Sequence, residues 1–311
     1  MNFDICVFGG CSLDMIFYQK KDGTYDNVPD KCVPGGKGSN QAVAASRAGA
    51  KTVMISRIGK DAIGKKILDN LKYNGIDTSG VEEDETIEND YSLVKVRYQD
   101  KDNEIERHNG AIDNFTEDMI DTYQDLILNS KIIVCQLKVP KEVTEKLINF
   151  CYQNNKKLIL TPCHPTRLSI SNPKNLALID KIFIITCNQK ECETIFNTDN
   201  IESCIRKYPN KLIVTLGKAG LMYYDGAKIV KIPAIETKIV DTVGAGDTLA
   251  GNLAGNLAKG LTLNESLKKA TYASAMKIGV ETAQDGMPYL EELEKFIAEK
   301  EGQKRNLKIP F

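Results

Sequence analysis

What most constrains this chain is an alternation of short apolar runs with stretches of helical period. Residues 3–9, 52–57, 132–137, 157–161, 182–185 and 211–216 are dense in Ile, Val and Leu. Strands buried on both faces read as continuous apolar runs of this kind. Between and after them, 62–74, 141–153, 189–197 and 201–208 carry apolar residues at helical spacing. Parallel strands need a crossover long enough to hold a helix, so strand-then-helix repetition predicts a mostly parallel sheet covered by helices on both faces. Further helices are expected at 42–48, 117–128 (capped by Thr116), 248–259, 264–279 and 289–300, and the polar tail 302–311 is expected to fray.

Two stretches leave this rhythm. Residues 14–34 are polar and punctuated by Gly and Pro, with a β-prone piece at 15–18. Residues 91–99 alternate as a half-exposed strand, and 104–108 return after a turn at 100–103, which predicts a hairpin. A β-rich run at 229–239 follows later. No internal repeat or linker divides the 311 residues, so 1–311 reads as one domain.

Charge excludes several classes of partner. The chain carries 41 Lys and Arg against 42 Asp and Glu, which makes no case for nucleic acid or a polybasic membrane contact. No apolar run reaches the length of a membrane span, and residues 1–10 read directly as a strand rather than a leader. A cytoplasmic protein is expected. Nine cysteines are scattered without any Cys-x-x-Cys pair, the pattern of small buried apolar residues, and a structural zinc site is not expected. The two histidines, His108 and His164, limit any His-assisted nucleophile to themselves.

The chemistry concentrates at Asp241-Thr242-Val243-Gly244-Ala245-Gly246-Asp247, just ahead of a helix. Gly244, Ala245 and Gly246 have almost no side chain, so their N–H groups lie open where the helix dipole favours negative charge. Asp247 in the same turn is placed to take a proton from a hydroxyl while those N–H groups hold a phosphoryl group; read alone, it could equally cap the helix. A second Gly-rich turn, Gly35-Gly36-Lys37-Gly38-Ser39-Asn40-Gln41, also opens a helix. It is not a P-loop, because Gly38 follows Lys37 where Ser or Thr is needed, and not a dinucleotide fingerprint, because Asn40 stands for the third glycine. Ser12 and Asp14 follow the first strand at the sheet edge where ligands bind. Asn188 and Glu191 open a helix as a capping box, or else reach phosphate and hydrated Mg²⁺. Thr215, Gly217 and Gly220 form a turn after another strand, either a tight connection or a surface for a nucleotide base.

In this order, Ser12/Asp14, Gly35 to Ala42, Asn188-x-x-Glu191 and Asp241 to Asp247 resemble the ribokinase-like (PfkB) carbohydrate kinases over nearly the whole chain. The resemblance implies a three-layer α/β/α sandwich with a small β-sheet lid from about 14–34 and 90–108, a lid that often doubles as a homodimer contact. It implies ATP-dependent phosphorylation of a sugar, with D-ribose at its 5-hydroxyl as the expected reaction; the alternatives are a family kinase for another sugar, sugar phosphate or nucleoside, and a non-catalytic nucleotide or sugar sensor on the same fold. Asp247 is then the base and Gly244, Ala245 and Gly246 the anion hole, while Ser12, Asp14, Gly36, Lys37 and Asn40 hold the sugar. Asn188, Thr215, Gly217 and Gly220 face ATP, Glu191 helps place Mg²⁺ through water, and Asp241 with the Val243 carbonyl would hold a monovalent cation, usually K⁺.

Four places depart from the family pattern. Lys138 stands where a sugar-contacting Glu is usual, and an ammonium only donates hydrogen bonds. A Lys138 turned to solvent leaves ribose as the substrate; turned inward, it marks an acidic or phosphorylated sugar. Ile112 replaces an Asn at the lid end, Thr161-Pro162-Cys163-His164-Pro165 replaces Asn-Pro-Ala-Pro, and the cation loop at 277–286 aligns poorly.

Overall fold

In the computed structural model of the chain, residues 2–98 and 103–306 are described. Strands β1 (Phe3–Phe8), β2 (Ser12–Tyr18), β3 (Lys31–Gly35) and β4 (Thr52–Gly59) are followed by β5 (Asp77–Asp84), β6 (Tyr91–Val96) and β7 (Asn103–His108). Then come β8 (Ser130–Gln136), β9 (Lys157–Thr161), β10 (Ile184–Asn188), β11 (Leu212–Thr215), β12 (Leu221–Tyr224) and β13 (Ile229–Ile232). Nine of them form one sheet in the order β13-β12-β11-β10-β9-β8-β1-β4-β5, parallel except at β12 and β13. The other four form a separate sheet, β3-β2-β6-β7, built from the two stretches that broke the strand–helix rhythm.

Helices α1 (Lys37–Arg47), α2 (Ala62–Tyr73), α3 (Asp118–Thr122), α4 (Gln124–Leu128) and α5 (Lys141–Gln153) occupy the first half of the chain. After them come α6 (Pro173–Lys181), α7 (Gln189–Phe196), α8 (Ile201–Arg206), α9 (Ala245–Ala258), α10 (Leu263–Lys277) and α11 (Leu290–Asn306). Successive strand residues point to opposite faces, which divides the apolar core in two. Val7, Val134 and Ile213 pack with Ala44 of α1, Leu253 of α9 and Leu267 of α10. Phe8, Cys135 and Val214 pack on the other side with Leu147 of α5, Ile179 of α6 and Ile195 of α7. The result is the expected three-layer α/β/α sandwich.

Several boundaries differ from the sequence reading. β5 is an edge strand with a largely polar sequence, and β12 is only four residues long, so neither stands out as an apolar run. Helix 117–128 is two short helices broken at Tyr123, and its start, Glu117, has no side-chain cap, so Thr116 does not cap it. α6 starts at Pro173, a residue pre-shaped for the first helical position, with Asn172 as its cap. The run 229–239 stops as a strand at Ile232, where Pro233 removes a ladder donor. α1 and α9 begin earlier than expected, inside the Gly-rich turns themselves. α11 runs through Asn306, so the chain is still helical where fraying was expected; 307–311 and most of the turn at 100–103 lie outside the described residues. No described helix is long and apolar enough to cross a membrane.

Candidate active site

Gly244 starts α9 in the left-handed region, at φ 80° and ψ −3°. A Cβ there would also sit 2.6 Å from the Ala283 carbonyl oxygen, so both conformation and space call for glycine. Ala245, Gly246 and Asp247 form the first helical turn, whose N–H groups have no acceptor within the helix; the Ala245 N–H donates back to the Thr242 carbonyl at 3.2 Å, which leaves the Gly246 and Asp247 N–H groups open. At Gly246 an added Cβ would meet no heavy atom within 4 Å, so the turn opens on free space.

Asp247 is 7% exposed, and its two carboxylate oxygens have separate partners. Asn40 Nδ2 donates to Oδ2 at 3.1 Å and Gln41 Nε2 donates to Oδ1 at 2.8 Å. Behind them, Gln284 Nε2 donates to Asn40 Oδ1 at 2.9 Å and Gln136 Nε2 donates to Gln41 Oε1 at 2.8 Å. These bonds require α1 and α9 to pack closely, and a Cβ on Gly251 would lie 2.5 Å from the Gln41 carbonyl oxygen. The acid is therefore held by amides, with Lys37 as the nearby cation. The Asp247 charge raises the Lys37 ammonium above the usual lysine range, against the opposing effect of burial. Cys163 shares this field, but burial pushes its thiol up to about 11, so it stays protonated at neutral pH.

A cavity beside this turn is lined by Ser12, Gly36, Lys37, Asp90, Gln136 and Lys138 among others. Asp14 lies next to it on β2; burial pushes its carboxyl up, opposed by a hydrogen bond with Ser92 and by the charges of Arg107 and Lys138. Lys138 does not point to solvent. Its side chain is 26% exposed, and Nζ lies 3.5 Å from Oδ1 of Asp90, itself 2% exposed. Oδ2 of Asp90 accepts from the Ile112 N–H at 2.9 Å. Burial pushes Asp90 up and the Lys138 charge pulls it back. The ammonium thus enters the cavity already paired, and Ile112 contributes its backbone N–H where its side chain cannot bond.

Asn188 and Glu191 make the full capping box: Asn188 Oδ1 accepts from the Glu191 N–H at 2.8 Å, and Glu191 Oε2 accepts from the Asn188 N–H at 2.9 Å. Burial pushes Glu191 up, the Asn188 N–H and Lys37 oppose this, and the Asp247 charge adds to it, so Glu191 shares the electrostatic field of the central acid. Thr215 ends β11, and Gly217 and Gly220 flank a 3₁₀ turn with φ 56° and 94°. These three stand at or just after the C-terminal end of β11 and do not line the cavity lined by Ser12 and Lys138.

Asp241 accepts hydrogen bonds through its Oδ1, from the Val243 N–H at 2.9 Å, and through its carbonyl, from Lys277 Nζ at 3.0 Å. A K⁺ on Asp241 and the Val243 carbonyl would compete with this ammonium, which bonds the Asp241 carbonyl and stands 3.9 Å from Oδ2.

Gln41, Gln136, Gln284, Asp90 and Lys277 were not singled out from sequence. Gln41 meets its partners through the packing of α1 on α9, and Gln284 through the loop between α10 and α11. Asp90 carried a weak signal, as an acid at the start of a half-exposed strand.

A carboxylate beside an open helix entrance, near a cavity at the C-terminal edge of a parallel sheet, is the arrangement expected of a small-molecule phosphotransferase. The chain belongs to the pfkB family carbohydrate kinases, whose family pattern matches residues 2–290. It is 37% identical over 302 residues to a ribokinase of Lactococcus lactis subsp. lactis, covering 96% of this chain and 98% of that one. It is 33% identical over 299 residues to a ribokinase of Bacillus subtilis, covering 95% and 99%. The structure of Arabidopsis thaliana ribokinase complexed with ribose and ATP has the same fold, with a TM-score of 0.82 and 23% identity over 96% of this chain and 99% of that one. The expectation of an ATP-dependent carbohydrate kinase stands.

Proposed function

We propose that the chain transfers the γ-phosphoryl group of ATP to the 5-hydroxyl of D-ribose. The observation that carries this is Asp247 at the mouth of α9, beside open peptide N–H groups and near a cavity lined by Ser12, Lys37, Asp90 and Lys138. An ionised carboxylate has about four lone-pair sites. Asn40 and Gln41 use two and fix its orientation, leaving room for a substrate hydroxyl. Asp247 takes the hydroxyl proton as the alkoxide oxygen bonds to phosphorus and the bond to ADP breaks. The N–H groups at Gly244, Ala245 and Gly246 hold the charge that builds on the phosphoryl oxygens, and Lys37 adds a fixed positive charge.

Ser12, Asp14, Gly36, Lys37 and Asn40 hold the sugar hydroxyls. The Lys138–Asp90 pair supports a neutral sugar over a phosphorylated one, because it presents a compensated ammonium. Asn188, Thr215, Gly217 and Gly220 face the nucleotide. Mg²⁺ fits Glu191, since it keeps most of its waters and takes one or two carboxylates with substrate phosphates; it supplies charge neutralisation on ATP. The four-stranded sheet serves as a lid that excludes water from the transfer.

A coupled ADP-release assay across ribose, fructose, sugar phosphates and nucleosides tests the reading. Ribose is expected to give the highest kcat/KM; background rates with ribose beside turnover of another acceptor would overturn the substrate assignment.

A further inference from the structure

Lys277 is the last residue of α10, and it is 0% exposed. Its ammonium donates to the Asp241 carbonyl at 3.0 Å and to the Val280 carbonyl at 3.2 Å, with Oδ2 of Asp241 at 3.9 Å. A lysine at a helix C-terminus commonly meets carbonyls of its own last turn. Here one acceptor lies 36 residues away, in the segment that leads into the anion turn.

Both sides of this contact reach the reacting centre. On one side, the Val240 and Asp241 N–H groups donate to the Ile278 carbonyl at 2.8 and 3.1 Å, tying the strand of backbone before Gly244 to the end of α10. On the other, Val280 opens a loop in which Thr282 sits at φ 64°, a strained conformation for a β-branched residue. That loop supplies the Ala283 carbonyl against Gly244, and Gln284, which holds Asn40, which holds Asp247. One buried positive charge thus draws together the loop behind the anion turn and the loop behind the base.

We propose that Lys277 is a tethered monovalent cation: its ammonium bonds the Asp241 and Val280 carbonyls next to the place where a K⁺ on Asp241 is expected and positions the anion turn, so turnover needs no added monovalent ion. An ammonium is close to K⁺ in size and bonds the same carbonyls, and two cations at this spacing in a buried site repel strongly. Lys277 acts through Asp241 and the 278–286 loop, so it is a positioning residue. The proposal rests on the kinase reading for its activity arm only.

The test replaces K⁺ with tetramethylammonium, too large to enter, at constant ionic strength. Wild-type kcat for ribose phosphorylation is expected to differ less than about twofold between the two salts. Lys277→Ala, which opens a carbonyl-lined hole, is expected to lose roughly 10- to 100-fold in kcat in tetramethylammonium and to recover saturably with NH₄⁺ or K⁺. Lys277→Met fills the hole without charge and is expected not to recover. A merely structural lysine would give the same loss in both variants, indifferent to the cation present. Thermal melting reads the same site without turnover: NH₄⁺ and K⁺ should raise Tm of Lys277→Ala over tetramethylammonium and leave the wild type unmoved. Strong K⁺ activation of the wild type, or an alanine variant blind to small cations in both readouts, would overturn the proposal. If no acceptor is turned over, the kinase reading fails while the melting arm still decides this one. Should the alanine variant not fold, the wild-type comparison decides it.

Discussion

Replacing Asp247 by Asn separates the two roles this residue could have. The carboxylate accepts from Asn40 Nδ2 at 3.1 Å and Gln41 Nε2 at 2.8 Å. An Asn amide keeps one acceptor and turns an NH₂ toward one of these donors, so one buried bond is lost. Such a loss costs about 1–3 kcal/mol when a donor is left unmatched. Relief is available along the amide chain. Gln41 can turn its oxygen toward the new NH₂, and Gln136, whose Oε1 is buried without a partner, can turn to meet it. The expected stability change is therefore at the low end, about 1 kcal/mol. Catalysis is different, because no amide accepts the hydroxyl proton. General-base removal costs roughly 10²- to 10⁴-fold, equivalent to about 3–5 kcal/mol of barrier. The assay is coupled ADP release with ribose, reading kcat and the KM for ATP, with Tm measured on the same preparation. The expected result is a large fall in kcat, little change in KM for ATP and a small fall in Tm. A variant within tenfold of wild-type kcat but clearly less stable would refute the base and leave a residue that only ties α9 to α1.

Lys138→Met should leave Asp90 buried without its ammonium; because Lys138 is partly exposed, the loss is set at about 1–2 kcal/mol, below that of a fully buried pair. Asp90 is already raised by burial, so the loss should be full at neutral pH and shrink as falling pH protonates the carboxyl, which urea unfolding across pH would show. Gly244→Ala combines a left-handed backbone with a 2.6 Å clash, and should lose about 2–4 kcal/mol of stability together with most of its activity, read by melting and ADP release. Asp14→Asn should stabilise. The folded-state carboxyl is raised, so its ionised form is a cost above that range, and the gain in Tm should be present at neutral pH and vanish in acid while the ribose KM rises.

The anion turn and the second Gly-rich turn were legible as linear spacing, because Gly, Asp and Asn at a helix entrance act within one turn of backbone. The capping box at Asn188 and Glu191 was legible for the same reason, and the structure shows it formed. The helices were harder to bound, since Gly-Lys-Gly and Gly-Ala-Gly look like turns yet already belong to α1 and α9.

The sequence by itself determined the layered sheet, since apolar runs of strand length can be buried on both faces only between helices. It also determined that bare peptide groups open α9, because that depends on a few adjacent residues. Tertiary structure alone decided that Gln41 and Asn40 grip an acid more than 200 residues away, that Lys138 turns inward to Asp90, and that Lys277 ends against Asp241. Those pairings depend on how close two helices pack and on which buried charge finds an oxygen, and neither distance is written in the spacing of residues along the chain.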